Sequence, residues 1–120
     1  MVMFRIAWWV LAISTALFAL NHLVGAAAFG NSDDERVMFL IFAGLNLLTL
    51  VVLLVPYRAR EQWAWWALWI PIGVMFIGPL VFGLDPIATI YLVGGAVMAA
   101  AHLTAAKQMV GARATSEVTA

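Results

Sequence analysis

Long apolar stretches alternate with short polar connections along the whole chain. Four stretches hold about 20 mostly apolar residues each, which is the length that an α-helix needs to cross a bilayer. The connections are so short that neighbouring helices must run antiparallel. The pattern therefore predicts an all-α integral membrane protein, built as an antiparallel bundle of four transmembrane helices. The predicted helices cover residues 4–29, 37–55, 63–82 and 87–106.

The composition indicates that lipid surrounds much of this apolar surface. Of 120 residues, 66% are hydrophobic and 10% are charged, whereas soluble domains carry roughly 25% charged residues. So short a chain cannot bury that much apolar surface in a core of its own, so we expect a lipid bilayer around it and a location in the cell (plasma) membrane. The net charge of zero gives no reason to expect a nucleic acid partner. The absence of cysteine excludes disulfides and thiolate metal sites.

The distribution of cations predicts the orientation of the bundle. Five of the six Lys and Arg residues fall at one end of a four-helix arrangement, and the sixth is Arg36. The positive-inside rule makes the first end cytoplasmic, so both termini are expected there. Residues 107–120 are predicted to form a flexible cytoplasmic tail. The five cations are Arg5, Arg58, Arg60, Lys107 and Arg113.

The six tryptophans also fall toward the predicted cytoplasmic end, which is typical of an aromatic belt at a membrane interface. An aromatic box around a cation or a flat ligand would need several rings to point inward together. One helix cannot aim Trp63, Trp65 and Trp66 in the same direction, so we favour the belt. The remaining tryptophans are Trp8, Trp9 and Trp69.

Acidic residues mark two helix starts. Ser32 followed by Glu35 is the pattern of a capping box. Asp85 followed by Pro86 is typical of an N-cap and a first helical residue. The alternative is an acidic cluster that collects a cation on the outer face, but the spacing fits capping at both helix starts.

Polar side chains inside the apolar stretches define the candidate site. His22 stands out because an ionisable group within a membrane segment suggests a functional site, and Asn21 lies beside it. We predict a polar pocket in which His22 and Asn21 are candidate catalytic residues. The candidate ligand-binding residues are Ser14, Asn46 and His102. The alternative is interhelical hydrogen bonding, which contributes only about 0.6 kcal/mol per bond.

Other polar positions are expected to have simpler roles. His102 lies near the predicted cytoplasmic end of its helix, where we expect partial hydration. A threonine hydroxyl inside a helix can bond a carbonyl of its own helix. The same holds for serine, and this is the role favoured for Ser14, Thr15, Thr49 and Thr104.

Small residues and prolines indicate where helices pack or bend. The face from Gly94 and Gly95 to Ala106 is expected to contact a partner helix, since small residues allow close approach. Pro71 and Pro79 predict a bent third helix, which would form one wall of any pocket.

Two histidines within membrane helices raise the question of haem. His22 lies about five residues past the middle of an outward-running helix, and His102 lies about as far past the middle of an inward-running one. At about 1.5 Å per residue their depths differ by roughly 15 Å, too far for two axial ligands of one iron. We therefore expect no haem, no metal and no other cofactor.

Three classes of function remain open. The first is a small integral membrane subunit or self-associating protein, which acts by helix packing with a membrane-protein partner or a homo-oligomer, or by binding an apolar small molecule. The alternative is a membrane enzyme for a lipid or isoprenoid-like substrate, with His22 as acid and base. The third is a small transporter, which is disfavoured because every Asp and Glu falls at a helix end, in a connection or in the tail.

Overall fold

The structure is a computed structural model that describes residues 2–110, apart from the side chain of Phe82. This part of the chain is almost entirely helical and contains no strand. Its α-helices are α1 (Val2–Val24), α2 (Asp33–Val52), α3 (Gln62–Ala67), α4 (Trp69–Phe82) and α5 (Pro86–Met109). Two π-helical segments, Gly25–Phe29 and Leu53–Tyr57, continue α1 and α2.

These elements form four spans that are long and apolar enough to cross a membrane, as the hydrophobic pattern predicts. The final helix continues to Met109, so the first residues of the predicted tail are helical. The rest of that tail, residues 111–120, lies outside the described residues. The four spans are Val2–Phe29, Asp33–Tyr57, Gln62–Val81 and Pro86–Met109.

Both predicted helix caps are confirmed. Ser32 Oγ accepts a hydrogen bond from the Glu35 backbone N–H at 3.2 Å. The Glu35 carboxylate reaches back to the N–H of Asn31 at 2.7 Å, one residue before the usual partner in a capping box. Asp85 Oδ1 accepts from the Ala88 N–H at 2.6 Å. The acidic residues here therefore serve the helix starts.

Removing the cap of α5 should measurably destabilise the bundle. Asp85→Ala loses the bond to the Ala88 N–H, which we expect to lower the free energy of unfolding by about 1 kcal/mol. Asp85→Ser keeps an acceptor and should recover most of that loss. Reversible denaturation in detergent micelles measures the change. The control is Asp34→Ala in the first turn of α2, where we expect a loss of only about 0.3 kcal/mol. Equal losses for Asp85→Ala and Asp34→Ala would contradict a specific cap.

Prolines determine where two of the helices change geometry. A proline lacks the backbone N–H, and its ring clashes with the carbonyl of the residue four positions earlier. For Pro56 that residue is Val52, the last residue of α2, and for Pro71 it is Ala67, the last residue of α3. At the first of these sites the Leu53 carbonyl accepts a hydrogen bond from the Trp8 indole at 2.7 Å.

The four spans pack unequally. Helices α1 and α5 pack along each other at the centre, α2 packs on α1, and α4 packs on α5. Helices α2 and α4 barely touch. We call the end where α1 begins and α5 finishes the terminal end, and the end with the connections 30–32 and 83–85 the loop end. The bundle is closed at the terminal end and open between α2 and α4 toward the loop end.

Aromatic side chains close the terminal end. Phe4 stacks on Tyr57 with ring centroids 5.8 Å apart, and the Arg60 guanidinium lies over the Phe4 ring. Trp65 is buried while Trp63 and Trp66 are more than half exposed, so neighbouring tryptophans of one helix do point in different directions, as predicted. An interfacial belt therefore accounts for only part of the tryptophans, because others point into the core.

The small-residue face of α5 packs against other helices of the chain at Gly94 and Gly95, and contact with a partner along this face stays a prediction. A Cβ atom on Gly94 would lie 2.5 Å from Phe18 Cζ, and one on Gly95 would lie 3.1 Å from Met75 Cβ. These glycines allow α1 and α4 to approach α5 closely. Further along the same face Met98 is buried as well.

Candidate functional site

The predicted site residues do not meet at a single place. His22 and Asn46 are in contact toward the loop end. Ser14 and Asn21 line a different cavity on the other side of α1. His102 lies at the terminal end within the aromatic core.

Three helices bring one polar side chain each to the centre of the candidate site. His22 comes from the last turn of α1 and is 4% exposed. Its Nδ1 lies 3.1 Å from Asn46 Nδ2 on α2, and its Nε2 lies 2.8 Å from the Tyr91 hydroxyl on α5. Asn46 Nδ2 also donates to the Phe42 carbonyl of its own helix at 2.8 Å. The imidazole is therefore held at both nitrogens by residues of two other helices.

Aromatic rings fix the plane of the His22 imidazole. The ring centroids of Phe42 and Tyr91 lie 5.4 Å and 5.7 Å from the imidazole centroid, and that of Phe39 lies 6.3 Å away. Phe39 also approaches Gly25 so closely that a Cβ there would lie 2.8 Å from its ring. Glycine at this position leaves room for the ring that packs against His22.

One cavity lies between α2 and α4 and has a volume of about 370 Å³. This volume falls within the roughly 300–1,000 Å³ of small-molecule pockets. Its walls run from Met38 to Asn46 on α2 and from Pro71 to Pro79 on α4, nine residues in each case, or about 12 Å along a helix. The polar residues that border the cavity are His22, Asn46, Asp85 and Tyr91, and the rest of the lining is apolar. The prolines of the third span thus line the cavity, as predicted.

Asn21 and Ser14 face the second cavity, which has a volume of about 510 Å³ and lies between α1 and α5. A stacked pair, Phe18 and Tyr91 with centroids 5.4 Å apart, contributes to the walls of both cavities. Asn21 is exposed, and its Nδ2 lies 3.5 Å from the Tyr91 hydroxyl, at the limit of a hydrogen bond. The amide that hydrogen-bonds His22 is Asn46 rather than its neighbour Asn21.

His102 is enclosed by aromatic rings and is 0% exposed, so the expected partial hydration is wrong. Its imidazole stacks on Trp65 at 4.8 Å and meets Trp69 edge-on at 4.9 Å. The Tyr57 hydroxyl lies 3.1 Å from its Nδ1. Helix α3 and the start of α4 bring these rings over the imidazole and shield it from solvent.

Tyr91 is the residue of the site that the sequence pattern did not single out. It occupies the second turn of α5, where a tyrosine is typical of a membrane interface. It also fixes the separation of the two histidines, because it contacts His22 and precedes His102 by eleven residues on the same helix. That spacing corresponds to about 16 Å along the helix axis, in agreement with the depth difference predicted from the sequence.

Two of the threonines behave as predicted. Thr49 Oγ1 donates to the Leu45 carbonyl and Thr104 Oγ1 to the Ala101 carbonyl, both at 2.7 Å. Thr15 differs, because its buried hydroxyl has no hydrogen-bond partner.

Within residues 2–110, no group of three His, Asp or Glu side chains is placed to hold a metal ion. Comparisons with protein-family models, with characterised proteins and with solved structures find no match to this chain.

Proposed function

We propose that this protein is a membrane-embedded binding protein for a single apolar molecule that carries a polar group at one end. The observation that carries the proposal is the cavity between α2 and α4, whose apolar walls meet polar atoms only at a few positions. The connected polar group there consists of His22, Asn46 and Tyr91. Such a site positions an apolar body by shape and a polar group by hydrogen bonds.

Residence in a membrane is part of this proposal. Large apolar side chains on the outer faces of the helices, such as Leu17, Ile41 and Leu80, are more than half exposed, and lipid is the medium that suits them. Of the Lys and Arg residues that the structure describes, only Arg36 lies at the loop end. We therefore place the terminal end in the cytoplasm and the cavity in the outer half of the plasma membrane.

The position of the cavity suggests how a molecule reaches it. Helices α2 and α4 barely touch, so the opening between them faces the surroundings of the bundle. In a bilayer those surroundings are lipid chains, so an apolar molecule would reach the site without crossing water. Binding is favoured over helix packing as the main function, because the small-residue face of α5 is already used within the chain.

Native mass spectrometry of gently extracted protein tests this proposal. We expect an adduct of small-molecule mass on the natural protein. His22→Phe keeps a ring among Phe39, Phe42 and Tyr91 but removes the two nitrogens that hold the Asn46 amide and the Tyr91 hydroxyl in place, so we expect the bound fraction to fall by about two- to tenfold. The control is Ser14→Ala, which alters only the second cavity and should leave the adduct unchanged. An adduct that is absent, or that responds equally to both variants, would contradict the proposal.

A second candidate function is an enzyme acting on the same molecule. The 2.8 Å contact between His22 Nε2 and the Tyr91 hydroxyl is short enough for proton transfer between the two groups, and Tyr91 lines the cavity where a substrate would bind. The same extraction distinguishes the two functions. If the protein is an enzyme, the molecule recovered with His22→Phe should differ chemically from the one recovered with the natural protein. If the protein only binds, both should yield the same molecule, in different amounts.

A further inference from the structure

The direction of the hydrogen bonds in the site can be worked out from Asn46. Its Nδ2 lies 2.8 Å from the Phe42 carbonyl oxygen, a contact that only the N–H end of the amide can make favourably. The same nitrogen lies 3.1 Å from His22 Nδ1. The amide therefore donates one hydrogen to each neighbour, and we assign His22 Nδ1 as the acceptor because a proton on Nδ1 would face the amide N–H.

This arrangement fixes the position of the proton on His22. A neutral imidazole carries a single N–H, and an Nδ1 that accepts leaves it on Nε2. Nε2 lies 2.8 Å from the Tyr91 oxygen, so it donates to that oxygen. The hydrogen bonds thus run in one direction, from Asn46 through His22 to Tyr91.

The hydrogen of the Tyr91 hydroxyl then needs an acceptor of its own. It cannot point at His22, whose Nε2 is already the donor of that contact. Asn21 does not satisfy it, because the Asn21 atom that lies 3.5 Å away is Nδ2, which is itself a donor. Tyr91 lines both cavities, and an unpaired donor facing apolar walls is costly. A molecule in the cavity between α2 and α4 can supply the missing acceptor.

We infer that the bound molecule is a hydrogen-bond acceptor at its polar end, of the class of a ketone or quinone, and that its carbonyl oxygen accepts the hydroxyl hydrogen of Tyr91. The inference rests on the proposed function and adds the chemical class of the ligand. The hydrogen bonds of Asn46 and His22 strengthen the Tyr91 hydroxyl as a donor, because a hydroxyl whose oxygen already accepts a hydrogen bond donates more strongly.

Three probes of equal chain length test this inference. They are a long-chain methyl ketone, which only accepts hydrogen bonds, a 2-alkylpyrrole, which only donates them, and the corresponding alkane. Relative occupancy on the purified full chain is measured by native mass spectrometry. We expect the ketone to bind about three- to tenfold more tightly than the alkane, and the pyrrole to show no advantage. In Tyr91→Phe the ratio of ketone to alkane binding should fall to about one.

A pyrrole that binds more tightly than the ketone, or a ketone preference that persists in Tyr91→Phe, would overturn the inference. If the proposed function is wrong, the result is different. Either none of the probes binds, or all three still bind when Gly78→Leu fills the cavity. Nitrogen-15 NMR of histidine-labelled protein adds a readout that needs no ligand. It should show His22, assigned with His22→Phe, as the neutral form with its proton on Nε2, and a proton on Nδ1 would overturn the direction of the chain of bonds.

Discussion

His102→Ala is expected to cause the largest loss of stability of any single change at the terminal end, lowering the free energy of unfolding by about 3 kcal/mol or more. The imidazole is fully buried between Trp65 and Trp69, so its removal leaves a void that these rings cannot fill. The Tyr57 hydroxyl also loses its 3.1 Å partner, and an unpaired buried hydroxyl costs about 1–3 kcal/mol. In lipid the hydrophobic effect does not drive helices together, so the loss of stability comes from lost van der Waals contacts and the lost hydrogen bond.

Tryptophan fluorescence during denaturation in micelles measures this loss, because Trp65 and Trp69 contact the substituted side chain. His102→Phe separates the two causes, since it restores a ring but not the bond to Tyr57 and should recover most of the lost stability. His22→Ala is the matched control, and it should cost less because the partners that it leaves, Asn46 and Tyr91, border an existing cavity and are not enclosed by the aromatic core. Equal destabilisation by His102→Ala and His22→Ala would show that the terminal end is not the stable part of the bundle.

Gly78→Leu is expected to have the largest effect on ligand binding. Gly78 lines the cavity between α2 and α4, and a Cβ added there meets no atom within 4 Å. A leucine side chain can therefore grow into the cavity and occupy the space of the bound molecule. We expect the occupancy to fall by about tenfold or more, since overpacking costs about 1–3 kcal/mol.

Gly73→Leu provides a closely matched control for this change. It lies five residues earlier on α4, a Cβ there also meets nothing within 4 Å, and it does not line the cavity. Both variants replace a helical glycine, so both should gain up to about 1 kcal/mol in helix propensity. Gly78 directly precedes Pro79, a position where a large side chain could clash with the proline ring. Ile70 directly precedes Pro71, so the same span already holds a large residue before a proline. Ligand occupancy that stays unchanged in Gly78→Leu would place the molecule outside this cavity.

The helices and their caps could be predicted because they depend on local sequence. The run of apolar residues sets the length of each span, and Ser32 and Asp85 act on N–H groups only three residues away. The prolines likewise identify the wall of the cavity through their own backbone geometry. None of these inferences requires knowledge of which helix packs beside which.

The site itself depends on how each helix is rotated about its axis, which the sequence states only weakly. Asn21 and His22 are adjacent in sequence, but successive residues of an α-helix point about 100° apart, so they face different cavities. Tyr91 joins the site only because α5 packs against α1. The burial of His102 depends on α3 bringing Trp65 over it. The span patterns are apolar on every side, so they gave little indication of which face turns inward.

The scarcity of contact between α2 and α4 also has a mechanical consequence. Each of these helices is attached to the central pair α1 and α5 by a separate interface, so α4 can tilt away from α2 near the loop end without breaking the packing of α2 on α1. The break between α3 and α4 at Leu68 supplies a pivot. It lies between the aromatic core of the terminal end and the cavity between α2 and α4. Release of a bound molecule would then be governed by the stiffness of one helix, and its residence time would lengthen in thicker, more ordered bilayers that resist such a tilt.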